Sequence, residues 1–178
     1  MYTKNNFQIA KLAKKESRFN VKGIYVTPVE TVVTDGVRLT RVKSAERGGD
    51  FTPFVMSAAQ ALDAAKNVAK GTATFAPDTH INGHVTVQAG AAILTAEKPA
   101  GSFPDYQRVI PSVDETWQRI TFDAKKMKEL LDIHADGGSA VTMYVKDGRS
   151  AIVLETTGGT QDMQSLLMPM RQEQVGRY

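Results

Sequence analysis

Gly101-Ser102-Phe103-Pro104-Asp105-Tyr106-Gln107-Arg108-Val109-Ile110-Pro111 divides this chain, with a proline near each end of the stretch. Proline lacks the backbone donor that a helix interior or a central strand needs, so the segment reads as a connection. The same order of elements stands on either side of it. Upstream, Phe54-Val55-Met56 reads as a strand and Ser57 as the N-cap of an alanine-rich helix running to about Lys70. Strands are expected near 72–76, 84–88 and 91–96, separated by Pro77-Asp78 and by Gly90. Downstream, Arg119-Ile120-Thr121-Phe122 reads as a strand, and Asp123 caps a helix to His134 that Asp136-Gly137-Gly138 ends. Strands near 140–145, 150–155 and 163–168 follow, with Lys146-Asp147-Gly148-Arg149 as a tight turn.

The order strand, capped helix, three strands is therefore written at 51–96 and again at 119–168. A shorter version without a clear first strand occupies 7–43: a helix over 8–18, strands over 21–27 and 29–34, the turn Asp35-Gly36, and a strand over 37–42. The polar stretch 44–50 links it to the next. A repeat of this size implies units that pack side by side, burying faces none could bury alone. The expected class is α+β, with helices on one face of antiparallel sheets.

Composition narrows the function classes. The chain has 178 residues, 42% hydrophobic and 23% charged, an ordinary globular balance. It has no cysteine, which removes disulfides, thiol nucleophiles and Cys-based zinc sites and fits a reducing, cytoplasmic setting. The N-terminal residues carry no apolar core of a signal peptide, and no run of about 18 apolar residues occurs, so no membrane span is expected. A net charge of +3 is too mild to announce a nucleic-acid binder. The placement of the charges matters more.

On a helix of 100° per residue, Lys11, Lys14, Lys15 and Arg18 fall within one arc of about 100°, opposite Ile9 and Leu12. The second helix puts Ala58, Leu62, Ala65 and Ala69 on one face and Gln60, Asp63, Lys66, Asn67 and Lys70 on the other. The third puts Ala124, Met127, Leu130 and Leu131 inward, with Lys125, Lys128 and Asp132 outward. Each helix thus rests on a sheet and presents a lysine-bearing face, either to solvent or to a polyanion.

Three segments carry a resemblance. Thr34-Asp35-Gly36-Val37-Arg38-Leu39 resembles the TDG-x-RL turn of the bacterial sliding clamp family, the beta subunit of the replicative DNA polymerase. Phe103 to Pro111 resembles that family's FPDY-x-RVIP connection, and Leu167-Met168-Pro169-Met170-Arg171 its C-terminal MPMR. They occur in family order with the repeat between them. The resemblance implies a DNA-clamp fold built from repeated strand–helix–three-strand units. Residues 1–111 then correspond to one complete domain of two units, 112–171 to half a domain, and 172–178 to a tail beyond the family's usual end.

The resemblance also implies partners. Clamps hold polymerases and other clients by a short hydrophobic linear motif in a peptide pocket. Carried over, its lining would be Thr34, Leu39, Pro104, Arg108, Val109, Leu166, Met168, Pro169 and Met170. Methionine and leucine suit an adaptable apolar floor, and the prolines fix its walls. From pattern alone, Leu166 and Met168 could equally form the inward face of a last strand. The resemblance further implies weak, sequence-independent contact with duplex DNA through Lys11, Lys14, Lys15, Arg18, Lys66, Lys70, Lys125 and Lys128.

Catalytic signals are absent from the pattern. His80 and His84 flank an Asn82-Gly83 turn rather than sharing a helix face, so no metal role is expected. His134 reads as a packed residue at a helix C-terminus. Asp35, Asp105 and Asp123 read as turn, connection and cap. Trp117 and Tyr106 suit packing better than base stacking. No cofactor and no catalytic residue is expected.

Three functions stand open: a clamp-like replication accessory protein on DNA, a clamp-fold peptide adaptor or decoy that does not encircle DNA, and a small enzyme on this scaffold. An orphan half-domain would expose strand edges and apolar faces, so a homo-oligomer is expected, a twofold dimer before a ring of four chains.

Overall fold

Thr3 and Asn6 start the first helix, α1 (Lys4–Gln8), ahead of the 8–18 span that periodicity predicts. Thr3 N donates to Asn6 Oδ1 at 2.9 Å, closing the first turn. Asn6 is buried, and its Nδ2 donates to Thr31 Oγ1 at 3.2 Å and to Val42 O at 2.9 Å. One amide thereby pins the helix to the sheet beneath it. A 3₁₀ turn continues over Ile9–Leu12, and Ala13, with a ψ of 69°, has left helical space. The helical turns end by Ala13, and Lys14, Lys15 and Arg18, which share the expected face with Lys11, lie outside the described residues. Tertiary anchoring through the buried Asn6 and Phe7 sets where the helix begins, four residues ahead of the start that periodicity predicts.

This computed structural model describes residues 1–13, 22–46, 51–68, 73–75, 84–89, 92–97, 102–137, 140–157 and 162–170. The chain falls into two units, Met1–Ile110 and Pro111–Tyr178.

In the first unit, β1 (Gly23–Val26), β2 (Glu30–Thr34), β3 (Leu39–Lys43) and β4 (Phe54–Ser57) form an antiparallel sheet in the order β3-β2-β1-β4. Helix α2 (Ala58–Val68) follows, then β5 (Ala73–Phe75), β6 (His84–Ala89) and β7 (Ala92–Glu97), a second sheet in that order. Strand β4 precedes α2 in the repeat but pairs with β1, placing Met56 opposite Ile24 and Phe54 opposite Val26. The strand is handed from its own repeat to its neighbour's sheet. The approach there is close: a Cβ on Gly23 would lie 2.0 Å from Met56 O, so only glycine fits.

Ser57 caps α2 as expected, its Oγ accepting from Gln60 N at 3.3 Å and donating to Gln60 Oε1 at 2.7 Å. The buried stripe is Ala61, Ala64, Ala65 and Val68, with Ala58 and Leu62 at its margin. Of the expected face, Ala65 is buried and Ala58 and Leu62 pack against the core, whereas Ala69 lies outside the described residues. Tyr2, Phe7, Ala10, Ile24, Val26, Val33, Phe54, Met56 and Val87 complete this core.

The second unit holds α3 (Ala124–Gly137) over a sheet of β8 (Thr142–Tyr144), β9 (Ile152–Thr156) and β10 (Met163–Leu167), ordered β10-β9-β8. Asp123 caps α3, Oδ1 accepting from Lys125 N at 2.8 Å and Lys126 N at 3.3 Å. Met127, Ile152, Leu154 and Leu167 form the core, with Ile120, Phe122 and Leu130 against it. Two expectations fail here. Ala124 and Leu131 are exposed rather than inward. Arg119–Phe122 joins no ladder; its backbone bond among the described residues runs from Met170 N to Thr121 O at 2.7 Å. A strand is defined by its neighbour, and β4, its counterpart, finds one in the preceding repeat.

No helix among the described residues is long and apolar enough to cross a membrane.

Candidate peptide-docking surfaces

In the first unit the turn between β2 and β3 is built around Asp35. Its Oδ1 accepts from Val37 N at 3.0 Å and Arg38 N at 2.8 Å, and its Oδ2 from Arg38 Nη2 at 2.6 Å. Gly36 takes the positive φ of 88° that the turn requires. These bonds, led by the Arg38 amide and guanidinium, hold the Asp35 carboxyl down at about 2. The turn sets Thr34 opposite Leu39 in register. Thr34 is buried and spends its hydroxyl on Gly36 N and Arg38 O, whereas Leu39 is half-buried.

The connection 102–110 is fastened to the same sheet by aromatic residues. Tyr25 of β1 stacks on Phe103 with centroids 4.9 Å apart and planes 9° apart, and Tyr106 sits edge-on to both. Tyr106 donates its hydroxyl to Glu30 Oε1 of β2 at 2.6 Å, both residues being buried. Burial first, and then the Glu30 carboxylate, push the Tyr106 hydroxyl up to about 12. Pro104 is half-buried beside this cluster, while Arg108, ion-paired to Asp105 at 3.1 Å, and Val109 project outward. The anchored segment therefore presents Arg108 and Val109 on a rigid mount.

In the second unit, Leu166 and Met168 are 63% and 67% exposed while Leu167 between them is buried. The reading of Leu166 and Met168 as an inward face is thereby excluded, because strand alternation sends Leu167 inward instead. Register sets Leu166 opposite Val153, and Val153 opposite Tyr144, so these three form an apolar row across the outer face of the sheet. Pro169 and Met170 continue past the strand, half-buried. Tyr144 and Val153 were missed from sequence. Their signal was available only through pairing, since alternation within β8 or β9 alone does not say which face is covered.

The predicted peptide-binding residues thus fall into two sets, Thr34, Leu39, Pro104, Arg108 and Val109 in the first unit and Leu166, Met168, Pro169 and Met170 in the second. A separate hollow of about 210 Å³ between α2, β6 and β7 is lined by Met56, Gln60, Asp63, Val87 and Thr95 and includes none of them. It is smaller than ordinary ligand pockets, which start near about 300 Å³.

Of the predicted DNA-contacting residues, Lys11, Lys66, Lys125 and Lys128 are among the described ones. Lys14, Lys15, Arg18 and Lys70 lie outside the described residues, and Lys11 is exposed on the 3₁₀ turn. Lys66 is exposed but 3.9 Å from Asp63, and Lys128 is ion-paired with Asp132. Lys125 is exposed, yet α3 balances Lys125, Lys126 and Lys128 against Glu129, Asp132 and Asp136. Its face carries charge without net charge.

His134 is fully buried, with Nδ1 at 2.8 Å from Thr156 Oγ1 and Nε2 at 3.0 Å from Ser165 Oγ. The ring is a cross-brace between α3 and two strands. Asp114, Asp123 and Asp147 are all held below the usual carboxylate range by hydrogen bonds from nearby backbone or hydroxyl donors. That is the direction of turn and cap residues, opposite to a general acid. No group of three or more metal-ligating side chains is found among the described residues.

No family model matches the chain. Among curated proteins it is similar to the beta sliding clamp of Caulobacter vibrioides strain NA1000, at 27% identity over 169 residues, covering 87% of this chain and 45% of that one. The same figures hold for the clamp of strain CB 15. The chain therefore spans less than half the length of the curated relatives it matches. Among solved structures, the DNA polymerase III subunit beta of Pseudomonas aeruginosa matches with a TM-score of 0.70 at 15% identity, over 94% of this chain and 49% of that one. The DNA polymerase sliding clamp of Caulobacter crescentus matches with a TM-score of 0.65 at 24% identity, over 93% and 48%. The chain has the sliding-clamp fold, with α+β units as the repeat implied.

Proposed function

We propose that this clamp-like chain is a non-catalytic DNA replication accessory protein that holds client proteins by a short hydrophobic linear motif. One observation carries the reading: Leu166 and Met168 stand exposed on the outer sheet face, beside Val153 and Tyr144, at the place where the sequence resembles the family's C-terminal segment. Exposed apolar rows on a rigid sheet are costly to leave bare and suit a peptide's leucine or phenylalanine. In the second unit the docking residues would be Leu166, Met168, Pro169 and Met170. In the first unit they would be Thr34, Leu39, Pro104, Arg108 and Val109, with Arg108 meeting an acidic group on a client.

Contact with duplex DNA is the second part of the proposal, and the balanced charge of α3 makes it weak and salt-sensitive. The same balance favours the alternative of a peptide adaptor that does not encircle DNA. Residues 1–111 act in this reading as a complete clamp-like domain, 112–171 as half of one, and the chain works in the cytoplasm as a homo-oligomer.

A fluorescence-polarisation titration with a labelled hydrophobic clamp-binding peptide tests the site. Saturable binding that weakens in Met168→Ala is expected. Absence of saturable binding to the wild-type chain in the high micromolar range refutes it.

A further inference from the structure

We infer that a second copy of this chain completes residues 111–178 by reciprocal strand addition, the segment Arg119–Phe122 of each copy pairing with the free edge of β8 in the other. This deepens the homo-oligomer proposed above and rests on that part of the reading alone.

The argument is an internal comparison. Aligning the helix caps Ser57 and Asp123 matches β4 with residues 120–123 and α2 with α3. Aligning Gly23-Ile24-Tyr25-Val26 with Thr142-Met143-Tyr144-Val145 matches β1 with β8. In the first unit β4 lies on the outer edge of β1. In the second, no described strand lies on the outer edge of β8, and the counterpart of β4 joins no sheet. One unit holds both halves of a joint; the other holds the same halves unjoined.

Burial follows the difference. Ile24 on β1 is 0% exposed, and its counterpart Met143 is 45% exposed. Ala65 on α2 is 5% exposed, with α1 packed beside the helix, and its counterpart Leu131 is 37% exposed. Met143 lies opposite the fully buried Leu154, so it faces the helix side of the sheet, where apolar surface should be covered.

Backbone parity agrees. Ala58 N donates to Lys22 O, so on β4 the residues whose backbones point at β1 are Phe54 and Met56. Their counterparts are Ile120 and Phe122. Thr121 turns its carbonyl the other way, to Met170 N. Ile120 and Phe122 make no backbone hydrogen bond among the described residues. The free donors and acceptors are those that the β1–β4 pattern would use. A twofold axis lets each copy give one strand and take one, satisfying two edges at a single isologous interface.

The register is fixed by transfer: Val55 opposite Tyr25 becomes Thr121 opposite Tyr144 of the second copy, a pair outside the hydrogen bonds with Cα atoms about 4.5 Å apart. Since the chain has no cysteine, any disulfide in the full chain carrying Thr121→Cys with Tyr144→Cys comes from the introduced thiols, and each single-cysteine variant controls for like-with-like pairing. Mild oxidation is expected to give a covalent dimer on a non-reducing gel, whereas Thr121→Cys with Thr142→Cys stays uncrosslinked. Met143→Asp should halve the mass seen by light scattering while leaving the circular dichroism and the peptide titration unchanged, because Met143 faces away from the Leu166 row. A monomeric wild type throughout the micromolar range, or a dimer that resists crosslinking in this register, overturns the inference. Failure of the wild-type chain to bind the peptide, while the crosslink still forms in the double variant, would count against the client site and leave the dimer standing.

Discussion

The Tyr106 hydroxyl donates to the Glu30 carboxylate at 2.6 Å, joining the connection to the middle of β2 across 76 residues of sequence. A buried carboxylate needs such a donor, and Tyr106→Phe would leave it short of one. The variant should lose about 1–3 kcal/mol of unfolding free energy, measured by urea denaturation near neutral pH. The hydroxyl titrates higher in the folded chain than in the unfolded one, where its pKa is about 10. Its contribution is therefore complete below about pH 10 and lost as pH rises through about 12, the value it has when folded. The gap between wild type and variant should close over that window. A gap that stays constant to pH 12 refutes the assignment.

Asp35 supplies the opposite dependence. Its carboxyl is depressed to about 2, so its stabilising effect is present above the unfolded value and lost as pH falls through the folded one. Wild type should exceed Asp35→Asn in stability at pH 5, with the difference fading between about pH 4 and pH 2. Chemical denaturation at a series of acid pH values checks it, and a difference that grows on acidification contradicts it.

Replacing Met168 or Leu166 with Ala should weaken the hydrophobic peptide by about 1–3 kcal/mol, the scale of one buried apolar side chain. Because both side chains are exposed in the free chain, thermal stability should hardly change. Val109→Ala tests the first unit's docking residues in the same titration: unchanged affinity would leave only the second unit's residues as candidates.

Duplex DNA binding, if the lysine faces serve it, should be weak, indifferent to sequence and steeply reduced by salt. Changing Lys11, Lys14, Lys15 and Arg18 together to Glu should abolish it without unfolding the chain. Changing Lys125 and Lys128 to Glu should reduce it further when combined with a partial set. An electrophoretic shift at two salt concentrations reads both. Unaltered affinity in the fourfold variant would return these residues to plain solvated surface.

His134→Ala should be costly, because it opens a cavity and strands the hydroxyls of Thr156 and Ser165. A loss of about 2–4 kcal/mol is expected by urea denaturation. Zinc should not restore the lost stability, and a metal-dependent rescue would overturn the bracing role.

What was legible in the sequence followed from local chemistry. Ser57 and Asp123 announced their helices because a cap is a side chain bonding to its own backbone a few residues on. Asp35-Gly36 announced its turn for the same reason. What was hidden depended on partners distant in the chain. Asn6 starts α1 by reaching Thr31 and Val42, which no periodicity within residues 8–18 contains. The outward face of Leu166 is decided by α3 lying over Leu167. Tyr144 and Val153 entered the candidate site only once strand register aligned them with Leu166.

The transfer of β4 to its neighbour's sheet has a consequence for how the first unit comes apart. In arrays of self-contained repeats, each module opens nearly on its own, and stability adds up along the chain. Here the strand that begins the second repeat is a structural member of the first, locked over Gly23 where no larger residue fits. Neither repeat can melt without tearing the other's sheet. A peptide bond cut between β3 and β4 would not release an independent module, and the two repeats should unfold as one cooperative block.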